Sequence, residues 1–227
     1  MRKRGVEGTE ILSPQMCLGV KRLLLLMALL TISFGRSGLA QITDSEPFNP
    51  LRPIEKIIID TDIGDDIDDA FAVALALRSP ELEILGITTT FRDTEARAKI
   101  LDRMLGEAGR QDIPVAVGIP TPAPPNPMSQ RRYGEGGHFA RSSHPGAVDF
   151  ILDQIQRNPG EITLVCIGPL VNVGVMIDKD PQTFRKLKRV VIMGGSIDRG
   201  YGDPYAAPTS PEPEWNIVND VPSCETS

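Results

Sequence analysis

The sequence predicts an α/β protein: a mainly parallel sheet with helices on both faces. Three observations predict it. At 227 residues the chain is long enough for one substantial domain with a real core. Short apolar runs alternate with helix-period segments, as in a parallel sheet built from strand–helix units. Each run is apolar throughout rather than at every second residue, as strands covered on both faces are.

The elements follow in order. KIIID (56–60) reads as a buried strand, and residues 66–78 as a helix ended by Ser79-Pro80. LEILGITTT (82–90) is a second strand, and TEARAKILDRMLGEAG (94–109) an amphipathic helix closed by Gly109. IPVAVGI (113–119) reads as a third strand. Residues 120–145 form a Pro/Gly-rich connection too long for a simple link. AVDFILDQIQRN (147–158) is a helix, ITLVCIG (162–168) a strand, and a short helix begins near Asn172. Pro181–Leu187 reads as helical, and RVVIMGG (189–195) as a fifth strand. From Ser196 onward there are five prolines and no further strand–helix unit, and the closing VPSCETS reads as lacking a docking helix. No internal repeat is present.

The N-terminus has its own pattern. Lys21-Arg22 precede LLLLMALLTISFG (23–35), and Gly38 and Ala40 put small residues at −3 and −1 of a cut after Ala40. That is the pattern of a secretory signal peptide, and the apolar run is short for a bilayer span. The expected organisation is a signal peptide at 1–40, a Pro-containing connector at 41–53 and one domain at 54–227. Export to the periplasm or outside the cell follows, with no membrane attachment after cleavage. The stretch before Lys21 is long, so Met16 is a second candidate start.

Without residues 1–40 the chain carries 18 basic and 28 acidic residues, a formal charge of −10. That balance argues against nucleic acid or an anionic membrane as the main partner, since both need a basic footprint. Cys166 sits in an apolar run, and Cys166 and Cys224 form no CxxC or zinc spacing.

IIIDTDIGDDIDDAFAVALAL (57–77) carries the chemistry. Six of the ten residues from Asp60 to Asp69 are aspartates, at the end of a strand where ligands gather in such sheets. Two carboxylates about 4 Å apart repel by roughly 1 kcal/mol in water and about 4 kcal/mol at an effective dielectric of 20. A helix N-terminus returns only about 0.3–1 kcal/mol per exposed carboxylate. A cation must neutralise the cluster, or some members must stay protonated. Oxygen-only ligation favours Ca²⁺ or Mg²⁺ over zinc. An EF-hand loop is excluded: counted from Asp60, position 6 is Asp65 rather than Gly and position 12 is Phe71 rather than Glu. The nucleophile loop of a haloacid-dehalogenase-like phosphatase would use Asp60-Thr61-Asp62 but leaves Asp66, Asp68 and Asp69 unexplained. A solvated acidic turn, with Asp66 or Asp68 as N-cap, does not require so many carboxylates at a buried strand end.

The same stretch resembles the N-terminal signature of the inosine/uridine-preferring nucleoside hydrolases, DxDxG followed by DDA. LGITTTFRDT (85–94), ITLVCIGPLVNVG (162–174), VVIMGGS (190–196) and EWNIVND (214–220) agree in order. The resemblance implies a Rossmann-like fold and calcium-dependent hydrolysis of the N-glycosidic bond of ribonucleosides to ribose and free base. It implies Asp62 as general base and calcium ligand, Asp69 as a further ligand and Asp68 toward the ribose. Three residues rather than fewer separate Gly64 from the DD pair, so Asp66 is an alternative in either role. It also implies a calcium contact from the Ile167 carbonyl, ribose contacts from Asp93, Glu214 and Asn216, and Met193 beside the sugar. Asp93 equally reads as the N-cap of the helix from Thr94. Asp60 reads as a structural turn residue and Asn172 as a cap or loop-bonding residue. Trp215 reads as core or pocket lining. His138 and His144 read as surface residues without partners.

The implied partner is a nucleoside, and self-association into a homo-oligomer is compatible with the sequence. The family pattern continues beyond EWNIVND with a further aspartate ligand, whereas this chain ends seven residues after Asp220. Little or no hydrolase activity is therefore expected of the chain as it stands. A non-catalytic exported nucleoside- or carbohydrate-binding module on the same fold is the alternative.

Overall fold

The computed structural model describes residues 53–122, 128–196 and 212–226. The expected signal segment and nearly all of the connector lie outside the described residues.

Strands β1 (Glu55–Thr61), β2 (Leu82–Thr89), β3 (Val115–Ala116), β4 (Ile162–Cys166) and β5 (Arg189–Ile192) make one sheet in the order β3-β2-β1-β4-β5. Every neighbouring pair is parallel. The helices are α1 (Asp68–Leu77), α2 (Thr94–Glu107), α3 (Arg131–Glu135), α4 (Ala147–Arg157), α5 (Val171–Lys179), α6 (Pro181–Phe184), α7 (Trp215–Val218) and α8 (Val221–Thr226). Alternation along β1 divides the core. Ile57 and Ile59 point into a cluster with Val73 of α1 and Leu101 of α2. Ile58 points the other way, onto Ile151 of α4, Leu164 and Met176 of α5. This is the doubly covered parallel sheet that the unbroken apolar runs predict.

Helix boundaries follow local chemistry. Asp93 caps α2 by accepting from Ala96 N at 3.1 Å. At the far end Arg110 N bonds Leu105 O at 2.8 Å and Gly109 N bonds Gly106 O at 3.1 Å, the paired closure of a Schellman motif. Asp180 caps α6, where Pro181 sits at the start, the position at which its missing N–H costs nothing.

Three expectations are corrected. The third strand shrinks from 113–119 to two residues. Pro114 has no N–H to donate and only its carbonyl joins the ladder, accepting from Ile87 N at 3.0 Å. Val117 then pairs with the segment before α4 instead, through Val117 N to Pro145 O (2.9 Å) and Ala147 N to Val117 O (2.8 Å). Next, the connection 120–145 contains α3, which lies against α2. Last, VPSCETS is not a bare tail: α8 forms there and packs against α5, with Cys224 half-buried. Pro222 falls in the first turn, where no intrahelical N–H bond is lost.

Coverage is uneven. Over β4 and β5, the face carrying α1 and α2 on the other strands stays open among the described residues. A largely apolar groove of about 400 Å³ runs there between Ala72 and Leu75 of α1 and Val165 and Val191. Helix α1 reads DDAFAVALAL, apolar nearly all round, and it leaves Phe71 and Leu75 each 70% exposed. A Cβ on Gly174 would lie 2.2 Å from Ser223 Oγ of α8. Gly174→Val should therefore lever α8 off α5 and speed alkylation of Cys224, while buried Cys166 stays unreactive. Equal Cys224 labelling rates in the two proteins would show that α8 is not docked.

Candidate active site

The strand order places the site. The strand order reverses about β1, with β2 on one side and β4 on the other, and ligands bind where the loops beyond those strands part. The aspartate loop leaves β1 at this point. Thr61 fixes its two ends, accepting from Ile63 N at 3.0 Å and donating to Asp69 Oδ1 at 2.9 Å. Gly64 has φ +129°, and a Cβ there would meet Met128 Sδ at 2.2 Å. From the loop after β4, Gly168 approaches Asp62 so closely that a Cβ would lie 2.8 Å from its Oδ1.

Each aspartate meets a different fate. Asp60 is fully buried, with Oδ1 accepting from Thr88 Oγ1 (2.5 Å) and Asn172 Nδ2 (2.8 Å) and with Oδ2 unpartnered. Burial pushes its carboxyl up to about 7. Asp65 pairs with Arg97 (3.0 Å) and more distantly with Arg92 (3.9 Å). Asp66 and Asp68 are exposed. Gln130 Nε2 donates to the Asp66 carbonyl at 2.6 Å, which leaves the Asp66 carboxylate out of that bond. Asp62 and Asp69 face each other within hydrogen-bonding reach. Burial raises Asp62, with the Arg97 charge partly opposing it. Burial, and then the Asp62 charge, push Asp69 up to about 8.

A cavity of about 390 Å³ opens over this pair, lined by Asp62, Asp65, Asp66, Asp68 and Asp69 on one side. Met193, Glu214, Trp215 and Asn216 line the other, and Arg92 reaches in between. Asn216 is buried and ties that wall together, donating to Ile167 O (3.1 Å) and Met193 O (2.9 Å). Glu214 caps α7 through Ile217 N at 3.1 Å. The structure thus brings Asp62, Asp66, Asp68, Asp69, Met193, Glu214 and Asn216 around one cavity, with the Ile167 carbonyl behind Asn216.

Asp93 departs from this picture. It is not among the lining residues: one oxygen caps α2 and the other is held by Arg131. The capping role of Asp93 is the one the fold uses. His144 is also corrected, because it is largely buried and its Nε2 lies 3.0 Å from Asp102 Oδ2. Asp102, two turns into α2, was the partner that local sequence could not reveal; His138 is exposed. Asn172 bonds loops rather than lining the cavity, reaching Asp60, Thr89 O (2.9 Å) and Ile119 N (2.9 Å).

Comparison with known proteins decides the relationship. Residues 57–226 match the family model described as inosine-uridine preferring nucleoside hydrolase. The chain belongs to the inosine-uridine preferring nucleoside hydrolase family. It is 34% identical to uridine nucleosidase 1 of Arabidopsis thaliana over 67% of this chain and 52% of that protein. It is 33% identical to the pyrimidine-specific ribonucleoside hydrolase RihA of Citrobacter koseri over 74% of this chain and 55% of that one. A solved plant nucleoside hydrolase superimposes with a TM-score of 0.64 at 28% identity, covering 77% of this chain and 56% of that one. The chain therefore spans about half the length of the relatives it matches.

Within this nucleoside hydrolase fold, the residues present suit a hard cation. Donors are carboxylate and carbonyl oxygens, no His or Cys lines the cavity among the described residues, and burial raises the proton affinity of both Asp62 and Asp69. Among the described residues no three His, Cys, Asp or Glu side chains converge on one ion position. The set is two carboxylates backed by a carbonyl.

Two residues of the site were not foreseen, Arg92 and Arg97. Phe91 and Arg92 have φ of 65° and 56°, a left-handed conformation that costs non-glycine residues about 1–3 kcal/mol each.

The raised carboxyls set the pH dependence. In the folded state Asp60 and Asp69 hold protons that the unfolded chain releases above about pH 4, and burial shifts Asp62 in the same direction. Their contribution is therefore complete below that pH and lost as pH rises through 4 to 8. With a chelator present, Tm should fall between pH 5 and pH 8, and Asp69→Asn should flatten the slope. A Tm that rises over that interval would refute the assignment.

Proposed function

We propose that this chain supplies the sugar-side and cation-side machinery of a calcium-dependent ribonucleoside hydrolase, which cleaves the N-glycosidic bond to give ribose and free base. One observation carries the reading: the Asp62–Asp69 pair faces Glu214 and Asn216 across a single cavity. Sugar departure passes through an oxocarbenium-like state, and carboxylates fixed opposite the ring stabilise its positive charge.

Asp62 acts as general base, taking a proton from the attacking water. Asp68, exposed at the first turn of α1, and Glu214 accept hydrogen bonds from ribose hydroxyls. Asn216 spends both amide hydrogens on Ile167 and Met193, so only its Oδ1 is left to meet the sugar. Met193 provides apolar contact beside the ring. Asp62, Asp69 and the Ile167 carbonyl hold the Ca²⁺, with Asp66 at the rim. When bound, the cation makes water a better nucleophile at neutral pH.

The curated relatives include a uridine nucleosidase and a pyrimidine-specific ribonucleoside hydrolase, which support a ribonucleoside as substrate. Base release from uridine and inosine, followed with and without calcium, tests the proposal. Asp62→Asn should lower kcat by about 10²–10⁴-fold. Riboside binding without turnover, indifferent to that substitution, would instead favour a binding module.

The leader pattern at 21–40 supports export. N-terminal sequencing of protein recovered outside the cytoplasm should begin at Gln41; an uncleaved Met1 or Met16 start would refute it.

A further inference from the structure

Arg97 is 1% exposed, on the buried side of α2 one turn before Ile100 and Leu101. A buried guanidinium normally has a dedicated carboxylate partner. This one is shared among oxygens of two loops. Its Nε donates to Phe91 O at 2.9 Å, and Nη1 donates to Ile63 O at 2.8 Å and to Asp62 O. Its Nη2 donates to Asp65 Oδ2 at 3.0 Å. Three of these oxygens lie in the aspartate loop after β1 and one in the turn after β2.

That turn is where Phe91 and Arg92 adopt left-handed backbone. Such a conformation persists only where the surroundings over-determine it. Two bonds do so here: Arg97 on the Phe91 carbonyl, and Arg92 N donating to Thr121 Oγ1 at 2.9 Å. The result is that Arg92 lies over the Phe91 ring at 4.8 Å and the Trp215 ring at 5.5 Å, and lines the same cavity as Asp62.

We propose that Arg97 is a positioning residue that locks the aspartate loop and the strained turn after β2 into one register, so that Asp62 and Arg92 are presented to the same cavity. It touches neither the cavity nor its contents and acts through the backbone of Asp62 and Phe91. Its effect on cation binding rests on the reading of the preceding subsection; its hold on the two loops does not. Only a planar, forked cation serves, because lysine concentrates its donors at one point.

Two readouts on the full chain test this. In Arg97→Met, amides at 61–66 and 90–94 should exchange with deuterium about tenfold or more faster, while those of β4 keep their protection. Terbium serves as a hard-cation probe, excited through Trp215, the single tryptophan of the chain and a wall of the cavity. Its affinity should drop by about 10–100-fold in Arg97→Met, the usual effect of removing a group that orients a ligand. Arg97→Lys should fall between wild type and Arg97→Met in both readouts. Leu101→Ala, a fully buried position on the same helix, should lower Tm without the selective loosening of the two loops. Should Arg97→Met fail to fold, Arg97→Lys against wild type carries the same comparison, and identical loop exchange overturns the proposal. Equal loosening of both loops by Leu101→Ala overturns it as well. Wild-type protein that takes up no terbium sinks the cation reading, and loop exchange alone then decides the role of Arg97.

Discussion

The structure depends on how negative charge is managed at the buried end of one central strand. Six carboxylates within ten residues would repel by several kcal/mol if all stayed ionised in a poorly solvated site. The fold settles the charge of four without drawing on the Asp62–Asp69 pair. Asp60 keeps a proton beneath Thr88 and Asn172, Asp65 pairs with Arg97, and Asp66 and Asp68 stay in water. What remains is concentrated at Asp62 and Asp69, where raised proton affinity and demand for a cation express the same imbalance.

Topology turns that imbalance into a site. Because β1 lies between β2 and β4, loops from three strands end together, and α7 closes the far side. Close approach is part of the arrangement. Gly168 leaves no room between its loop and Asp62, so the two loops cannot shift independently. Asn216 joins the wall from β5 to the carbonyl after β4, making that wall of the cavity a single hydrogen-bonded unit.

Most of this was legible in the residues. Continuous apolar runs separated by helix-period segments gave the parallel sheet, and spacing within the aspartate loop identified the side that gathers ligands. What escaped detection depended on contacts distant in sequence. Asp93 carried two compatible roles; the fold shows its cap on Ala96 N, and Arg131, 38 residues away, holds the other oxygen. His144 looked unpartnered because Asp102 lies on another element. Arg97 stood in the helix segment with no reading of its own, although a loop so rich in carboxylates needed a positive charge from somewhere. VPSCETS was misread because proline is a poor signal against a helix when it falls in the first turn.

The two margins of the sheet are unlike. At one, β3 offers two residues, flanked by Pro114 and by a chain that has already turned to pair with the segment before α4. That margin is blunt, as natural sheets protect themselves from unwanted pairing. At the other, β5 presents four residues of extended backbone whose Val191 and Ile192 are half-exposed beside the open apolar groove. Among the described residues growth of this sheet is consequently one-sided: an added strand finds its template alongside β5, and it would extend the wall that already carries Met193.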